Sequence, residues 1–274
     1  MNNIPVSLKA VVFDWAGTIV DFGSRAPMGA FVKLFAQFGV TLGVEEARGP
    51  MGMAKWDHIH ALCQLPTVSA QWQAQHGRLP AHADIDHLYE VFTPMNAASV
   101  RDHADFIPGA LEAVAAARAR GLKIGSTTGY NRQIMEVLSA IAAAGGYRPD
   151  NLVCAGDLAA GRPSPLMMYR SFADLGVWPP HAVVKVDDTE VGIAEGLNAG
   201  SWTVGVAVSG NAVGLGAAEW EALPAAAQDE RRETAARRLR AAGAHYVVDS
   251  VAQLVPVLDR IEQALRDGLR PAAA

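Results

Sequence analysis

The sequence predicts an α/β protein, a doubly wound parallel sheet with a helical cap inserted after its first strand. Three observations predict it. Six short β-branched runs end in small or acidic residues, as strands buried on both faces do. Helical patterns separate these runs from about residue 105 onward. Between residues 23 and 102 only helical patterns occur.

The first strand is read at Lys9 to Phe13 (KAVVF), ahead of DWAGT. The insertion follows, with helices expected over Met28 to Phe38, Ala54 to Cys63, Ser69 to His76 and Asp84 to Ala98. A cap lying over the carboxyl ends of the strands would cover the crevice where such sheets bind ligands. Gly109 to Arg120 forms the next helix and stops at Gly121. Strand Lys123 to Thr127 leads into TGYN, and a helix spans Asn131 to Ala144 before Gly145-Gly146. Strand Leu152 to Ala155 follows. Ser164 then caps a helix with Pro165 in its first turn, ending near Gly176. Strands Ala182 to Val186, Thr203 to Val208 and His245 to Val248 complete the sheet. Asp229 to Arg240 mixes both charge signs and reads as a solvated helix, and the tail LRPAAA reads as frayed. The domain division is 1–22 with 103–274 for the core and 23–102 for the cap.

Hydrophobic residues make up 50% of the 274 and charged ones 19%, which is enough apolar material for a packed core. The net charge of −5 gives no general attraction to nucleic acid or to an anionic membrane, so an anionic substrate needs a local positive site. Two cysteines, Cys63 and Cys154, make no disulfide framework. The N-terminus lacks a signal-peptide layout and no apolar run approaches the roughly 20 residues that span a bilayer. A cytoplasmic location is expected.

Four strand ends carry chemistry. Asp14 in FDWAGT points into the ligand crevice beside Gly17. Thr127-Thr128-Gly129 offers hydroxyls and amides to a phosphoryl group, and Arg162 in AGRPSP offers a cation. Asp187-Asp188 ends a buried run, where two acids call for a metal cation. Taken singly, each is more often a helix cap or a surface loop residue.

In that order the four motifs resemble the haloacid dehalogenase superfamily. The resemblance implies that Asp14 attacks phosphorus and that Mg²⁺ is held by Asp14, Asp188 and the backbone carbonyl of Ala16. Two departures narrow it. Phosphatases of the superfamily carry a second acid two residues after the nucleophile, where this chain has Ala16, which moves no proton. Lys55 in PMGMAKWDHIH, taken alone, is more often a lysine on a solvated helix face, but it sits among Met51, Met53 and Trp56, and together with Ala16 that setting points to a neutral, nucleophilic amine. An iminium is the electron sink that breaking a carbon–phosphorus bond needs.

From FDWAGT through MGMAKWDHI, GSTTGY, GRPSP and VDDT to NAGSWTVGV, most of the chain, the sequence therefore resembles the phosphonatase family, the phosphonoacetaldehyde hydrolases. The resemblance implies Asp14 and Lys55 as the catalytic pair and Thr128 and Arg162 on the phosphoryl group. It puts Met51, Gly52 and His58 on the cap side and Tyr130 beside Thr128. His58, one helical turn past Lys55, is a candidate proton carrier. It also implies phosphonoacetaldehyde as substrate, in 2-aminoethylphosphonate degradation, and a homodimer paired through cap helices. A phosphate-ester phosphatase or mutase of the superfamily is the alternative. The superfamily's further acid, four residues after Asp188, is Gly192 here, so Glu190 or Asp187 is expected to orient the metal's waters.

Overall fold

The structure, a computed structural model, describes residues 7–271. Residues 1–6, with the N-terminal reading, and the end of the tail at 272–274 lie outside the described residues. Strand β1 (Ala10–Phe13) is followed by helices α1 (Ala26–Gln37), α2 (Val44–Arg48), α3 (Lys55–Cys63), α4 (Pro66–His76) and α5 (His82–Ser99). Then come α6 (Ala110–Ala119), β2 (Lys123–Asn131), α7 (Arg132–Ala144), β3 (Val153–Ala155), α8 (Leu166–Leu175), β4 (Val183–Asp187) and α9 (Glu190–Asn198). The chain closes with β5 (Trp202–Val206), α10 (Ala217–Glu221), α11 (Ala225–Ala241), β6 (Tyr246–Val248) and α12 (Leu254–Arg266).

The six strands form one parallel sheet in the order β3-β2-β1-β4-β5-β6. Chain order reverses at β1, so β1, β2 and β4 deliver their carboxyl ends to one crevice. All four residues of β1 and all five of β4 are buried, as strands covered on both faces require. Val11, Phe13, Val184 and Val186 pack toward α6, α7 and α12, while Ala10, Val12 and Val183 pack toward α8.

Helices α1–α5 enclose an apolar cluster of their own, built from Phe31, Leu34, Phe35, Ile59, Leu62, Trp72, Leu88 and Phe92. Phe31 stacks on Phe92 with centroids 4.3 Å apart. Two strands of chain join this segment to the sheet. In the first, Asp21 takes a left-handed φ of 58° and its carboxylate accepts from the N–H groups of Arg25 and Ala26, both at 2.9 Å, opening α1. In the second, Ile107 N–H donates to Ile19 O at 2.9 Å. No helix among the described residues is long and apolar enough to cross a membrane.

Several boundaries differ from expectation. β2 runs on to Asn131, with its pairing to β3 slipping between Thr128 and Asn131. Helices α2 and α10, five residues each, carried too little periodicity to be expected. Ser164 is not the cap of α8. Pro165 holds that position, because its fixed φ (−77°) suits the helix entry, and Ser164 Oγ only accepts from Leu166 N–H at 3.4 Å. The charged stretch 229–240 lies within α11.

Candidate active site

Asp14 is the first residue past β1 and is almost wholly buried. Its N–H donates to Val186 O at 3.0 Å, which ties it to β4. Its Oδ1 lies 2.8 Å from an Nη of Arg162, itself buried. Burial, then Asp187, pushes its carboxyl up to about 6, against the pull of Arg162 and Lys185. Asp188, just past β4, accepts from Asn211 N–H at 2.7 Å through Oδ2. Burial, Asp14 and Asp187 raise its carboxyl well above the carboxylate range. Gly17 is required beside it: its φ is +80°, and a Cβ there would lie 2.2 Å from Asp188 Oδ2.

Carboxylate oxygens of Asp14, Asp187 and Asp188 lie within 4.8 Å of one another. Asp188 Oδ1 is buried and has no hydrogen-bond partner. An all-oxygen donor set with an unsatisfied buried oxygen fits a hard divalent cation. The charges agree. Asp14, Asp187, Asp188 and Glu195 are four buried carboxylates, and Arg162 and Lys185 are two buried cations. The difference, two negative charges, is what a divalent cation neutralises if Lys55 is uncharged.

Lys55 opens α3 and is 3% exposed. Its Nζ sits 5.2 Å from the ring centroid of Tyr130, 5.7 Å from that of Phe31 and 3.8 Å from Met51 Sδ. No ion pair to Lys55 occurs among the described residues. Burial lowers its pKa to about 8, with Asp14 and Asp188 pulling the other way. Gly52 has a φ of +91°, and a Cβ on it would meet Thr189 Oγ1 at 2.3 Å, so the Met51–Lys55 loop touches the metal-side loop after β4.

The cleft between these groups holds about 280 Å³ of empty space, part of it open to solvent. The sheet side contributes Asp14, Ala16, Thr128, Tyr130, Arg162 and Asp188, and the helical segment contributes Met51, Gly52 and Lys55. Thr128 Oγ1 accepts from Tyr130 N–H at 3.1 Å. Burial raises the Tyr130 phenol well above its usual range, so it stays a neutral donor. His58 is absent from the lining. It is fully buried behind it, with Nε2 2.9 Å from Ala47 O and its ring 4.0 Å from that of Phe31. Burial, then Lys55, holds it neutral, well below its ordinary pKa. Glu190 faces away, its carboxylate accepting from Arg238 Nε at 2.8 Å, because the first turn of α9 turns it toward α11. Asp187 is drawn to cations instead: Arg162 and Lys185 outweigh burial and keep its carboxyl below the usual range.

Sequence reasoning passed over Lys185, Glu195 and Asn211. A lysine in the middle of the apolar run AVVKV was a signal for the first. Nothing local marks Glu195 or Asn211, which reach the site through the fold of α9 and of the loop after β5.

The haloacid dehalogenase-like hydrolase family matches residues 8–200. A phosphonoacetaldehyde hydrolase of Paraburkholderia xenovorans is 54% identical, over 96% of this chain and 99% of that protein. One of Vibrio cholerae is 50% identical, over 99% of this chain and all of its own length. The crystal structure of a phosphonoacetaldehyde hydrolase-like protein from Oleispira antarctica, 40% identical, superposes with a TM-score of 0.96 over 97% of each chain. The chain belongs to the phosphonoacetaldehyde hydrolases, within the haloacid dehalogenase-like hydrolases.

Proposed function

We propose that the chain cleaves the carbon–phosphorus bond of phosphonoacetaldehyde, giving acetaldehyde and phosphate, with Lys55 as Schiff-base residue and Asp14 as nucleophile. The observation that carries this reading is Lys55 itself. It is a buried amine with no anionic partner at ion-pair distance, and it opens on the same cleft as Asp14, next to Ala16 where an acid would serve an ester phosphatase.

Lys55 Nζ adds to the aldehyde carbon, and loss of water leaves an iminium. Asp14 attacks phosphorus in line. The carbon–phosphorus bond breaks, and its electron pair moves into the iminium to give an enamine while the phosphoryl group passes to Asp14. The enamine takes a proton at carbon, and water releases acetaldehyde and the free amine. A second water cleaves the aspartyl phosphate. The sum of the steps consumes one water. Thr128 and Arg162 bind the phosphoryl oxygens, and Met51, Gly52 and Tyr130 shape the aldehyde end. Mg²⁺ on Asp14, Asp188 and the carbonyl of Ala16 would neutralise phosphoryl charge so that two anions can meet.

In this reading residues 23–102 act as a cap on the core of 1–22 and 103–274, and exclude bulk water. The enzyme works in the cytoplasm in 2-aminoethylphosphonate breakdown. It works as a homodimer, and a monomer in light scattering at micromolar concentration would remove that part. Incubation with Mg²⁺ and phosphonoacetaldehyde is expected to release acetaldehyde and phosphate in equal amounts, with little phosphate from an aryl ester. Borohydride added with substrate is expected to alkylate Lys55. Aryl ester turnover without acetaldehyde would make the protein an ordinary phosphatase.

A further inference from the structure

Beneath Asp14 lies a set of buried polar groups around Arg162, and four of them, Thr127, Lys185, Asp187 and Glu195, have no task in the reaction above. Lys185, in the middle of β4, has no exposed surface. Its Nζ is 2.6 Å from Thr127 Oγ1, 3.0 Å from Asp187 Oδ2 and 3.1 Å from Glu195 Oε2. Arg162 lies on the same three residues. Its Nε donates to Glu195 Oε2 at 3.0 Å, one Nη is 3.3 Å from Asp187 Oδ2, and the other donates to Thr127 O at 2.6 Å. That last nitrogen is the one 2.8 Å from Asp14 Oδ1. Thr127 Oγ1 donates in turn to Glu195 Oε2 at 2.8 Å. Asp187 Oδ1 is held by Thr189, through N–H at 3.0 Å and Oγ1 at 2.7 Å.

Two cations face two carboxylates here, so the frame is neutral without Asp14, Asp188 or any metal. All three guanidinium nitrogens of Arg162 are fixed, which leaves its plane no freedom to turn. Gly192 belongs to the same arrangement. A Cβ on it would lie 2.0 Å from Asp187 Cγ and 2.1 Å from both carboxylate oxygens. The Asp187 carboxylate thus fills the space that any side chain at 192 needs.

We propose that Lys185 and Asp187 are positioning residues: with Glu195 and Thr127 they hold the Arg162 fork so that it orients the Asp14 carboxylate for attack, and Gly192 is the space Asp187 requires. Asp187 is therefore a partner of the two cations and not a ligand of the metal. The inference rests on Asp14 being the nucleophile of the proposed reaction.

Lys185→Met and Asp187→Asn separate this role from others, since Schiff-base formation at Lys55 does not use the frame. Both variants are expected to lose kcat for acetaldehyde release roughly 100-fold, the scale of a small misplacement of reacting groups. Borohydride trapping of substrate on Lys55 and KM are expected to stay within about twofold. Mg²⁺ affinity of Asp187→Asn, read by calorimetry, is expected to stay within about threefold, where an Asp187 that ligated the metal or oriented its ligands would shift it by about tenfold or more. Gly192→Ala is expected to reproduce the kcat loss with Asp187 still in the chain. If Lys185→Met does not fold, the near-isosteric Asp187→Asn carries the test. Wild-type kcat in Asp187→Asn, a parallel loss of trapping and kcat, or a tenfold loss of Mg²⁺ affinity would each overturn the assignment. A wild-type protein that neither traps substrate nor releases acetaldehyde would instead overturn the reaction on which it rests.

Discussion

At the scale of single residues, burial sets the chemistry. Lys55 is brought to about 8 by desolvation, against the attraction of Asp14 and Asp188. The amine must be neutral to add to an aldehyde, so kcat/KM is expected to rise about tenfold per pH unit below the midpoint and to level off above it. A cation on Asp14 and Asp188 would cancel their attraction, so with metal bound the midpoint is expected to move down. Lys55→Ala is expected to abolish both acetaldehyde release and borohydride trapping, while leaving Mg²⁺ binding by calorimetry intact. A flat pH profile between 6 and 9 would separate Lys55 from the rate. His58 gives a stability prediction. It is held neutral when folded and titrates near 6.5 when unfolded. Below about 6.5 the unfolded chain therefore binds more protons, and stability drops as pH falls, by up to about 1.4 kcal/mol per unit from this group. The difference between wild type and His58→Gln in urea melts should change with pH at that slope between 6 and 5. The variant's lost packing on Phe31 adds only a constant offset.

At the scale of elements, one of the polar contacts that join the helical segment to the sheet is made by α2. Arg48, at the end of α2, reaches the loop after β5. One Nη donates to Gly23 O at 3.1 Å, Asn211 O at 3.2 Å and Asn211 Oδ1 at 3.1 Å, and the other donates to Gly214 O at 2.8 Å. A Cβ on Gly214 would lie 2.4 Å from the guanidinium carbon, so the loop must be bare there. Asn211 N–H in turn holds Asp188. Arg48→Ala is expected to raise KM several-fold with a smaller change in kcat, and to cost about 1–3 kcal/mol in a denaturant melt. An unchanged KM would mean that this contact does not govern closure over the cleft. Such contacts mark the limit of what the sequence shows. β1 and β4 were legible because strands buried on both faces read as apolar runs. The long α7 was legible through its run of strong helix formers ahead of Gly145-Gly146, whereas the five-residue α2 has barely one turn of pattern. Asp14 and Asp188 stand just past β1 and β4, Thr128 lies toward the carboxyl end of β2 and Arg162 in the loop after β3, so the topology of the sheet brings them to one edge. Asn211 and Glu195 are partners by tertiary contact across 23 and 33 residues, and no local spacing encodes that. The reach of His58 was misjudged for the same reason. Its place one turn from Lys55 says that the two share a helix face, but Phe31 and the Ala47 carbonyl decide where the ring lies.

At the scale of the whole molecule, the buried acids of the site work against the fold. Asp14 and Asp188 are buried with carboxyls raised above their ordinary range, Asp14 by burial and then Asp187, and Asp188 by burial and then Asp14 and Asp187. Asp188 Oδ1 has no hydrogen-bond partner among the described residues. A divalent cation that binds only the folded chain stabilises it by mass action, about 2.7 kcal/mol at a concentration 100 times its Kd. For a chain of this length, that is several degrees in Tm. Stripped protein is therefore expected to melt lower than protein with millimolar Mg²⁺ in differential scanning calorimetry. The decisive comparison is Asp188→Asn. It removes one of two mutually repelling buried charges and keeps an acceptor for Asn211 N–H, so without metal it should melt above stripped wild type. With Mg²⁺ it should gain almost nothing, and the order of the two proteins should reverse. If Asp188→Asn instead melts lower than wild type in both conditions, Asp188 serves the fold through its hydrogen bond to Asn211, and the cation is held without it.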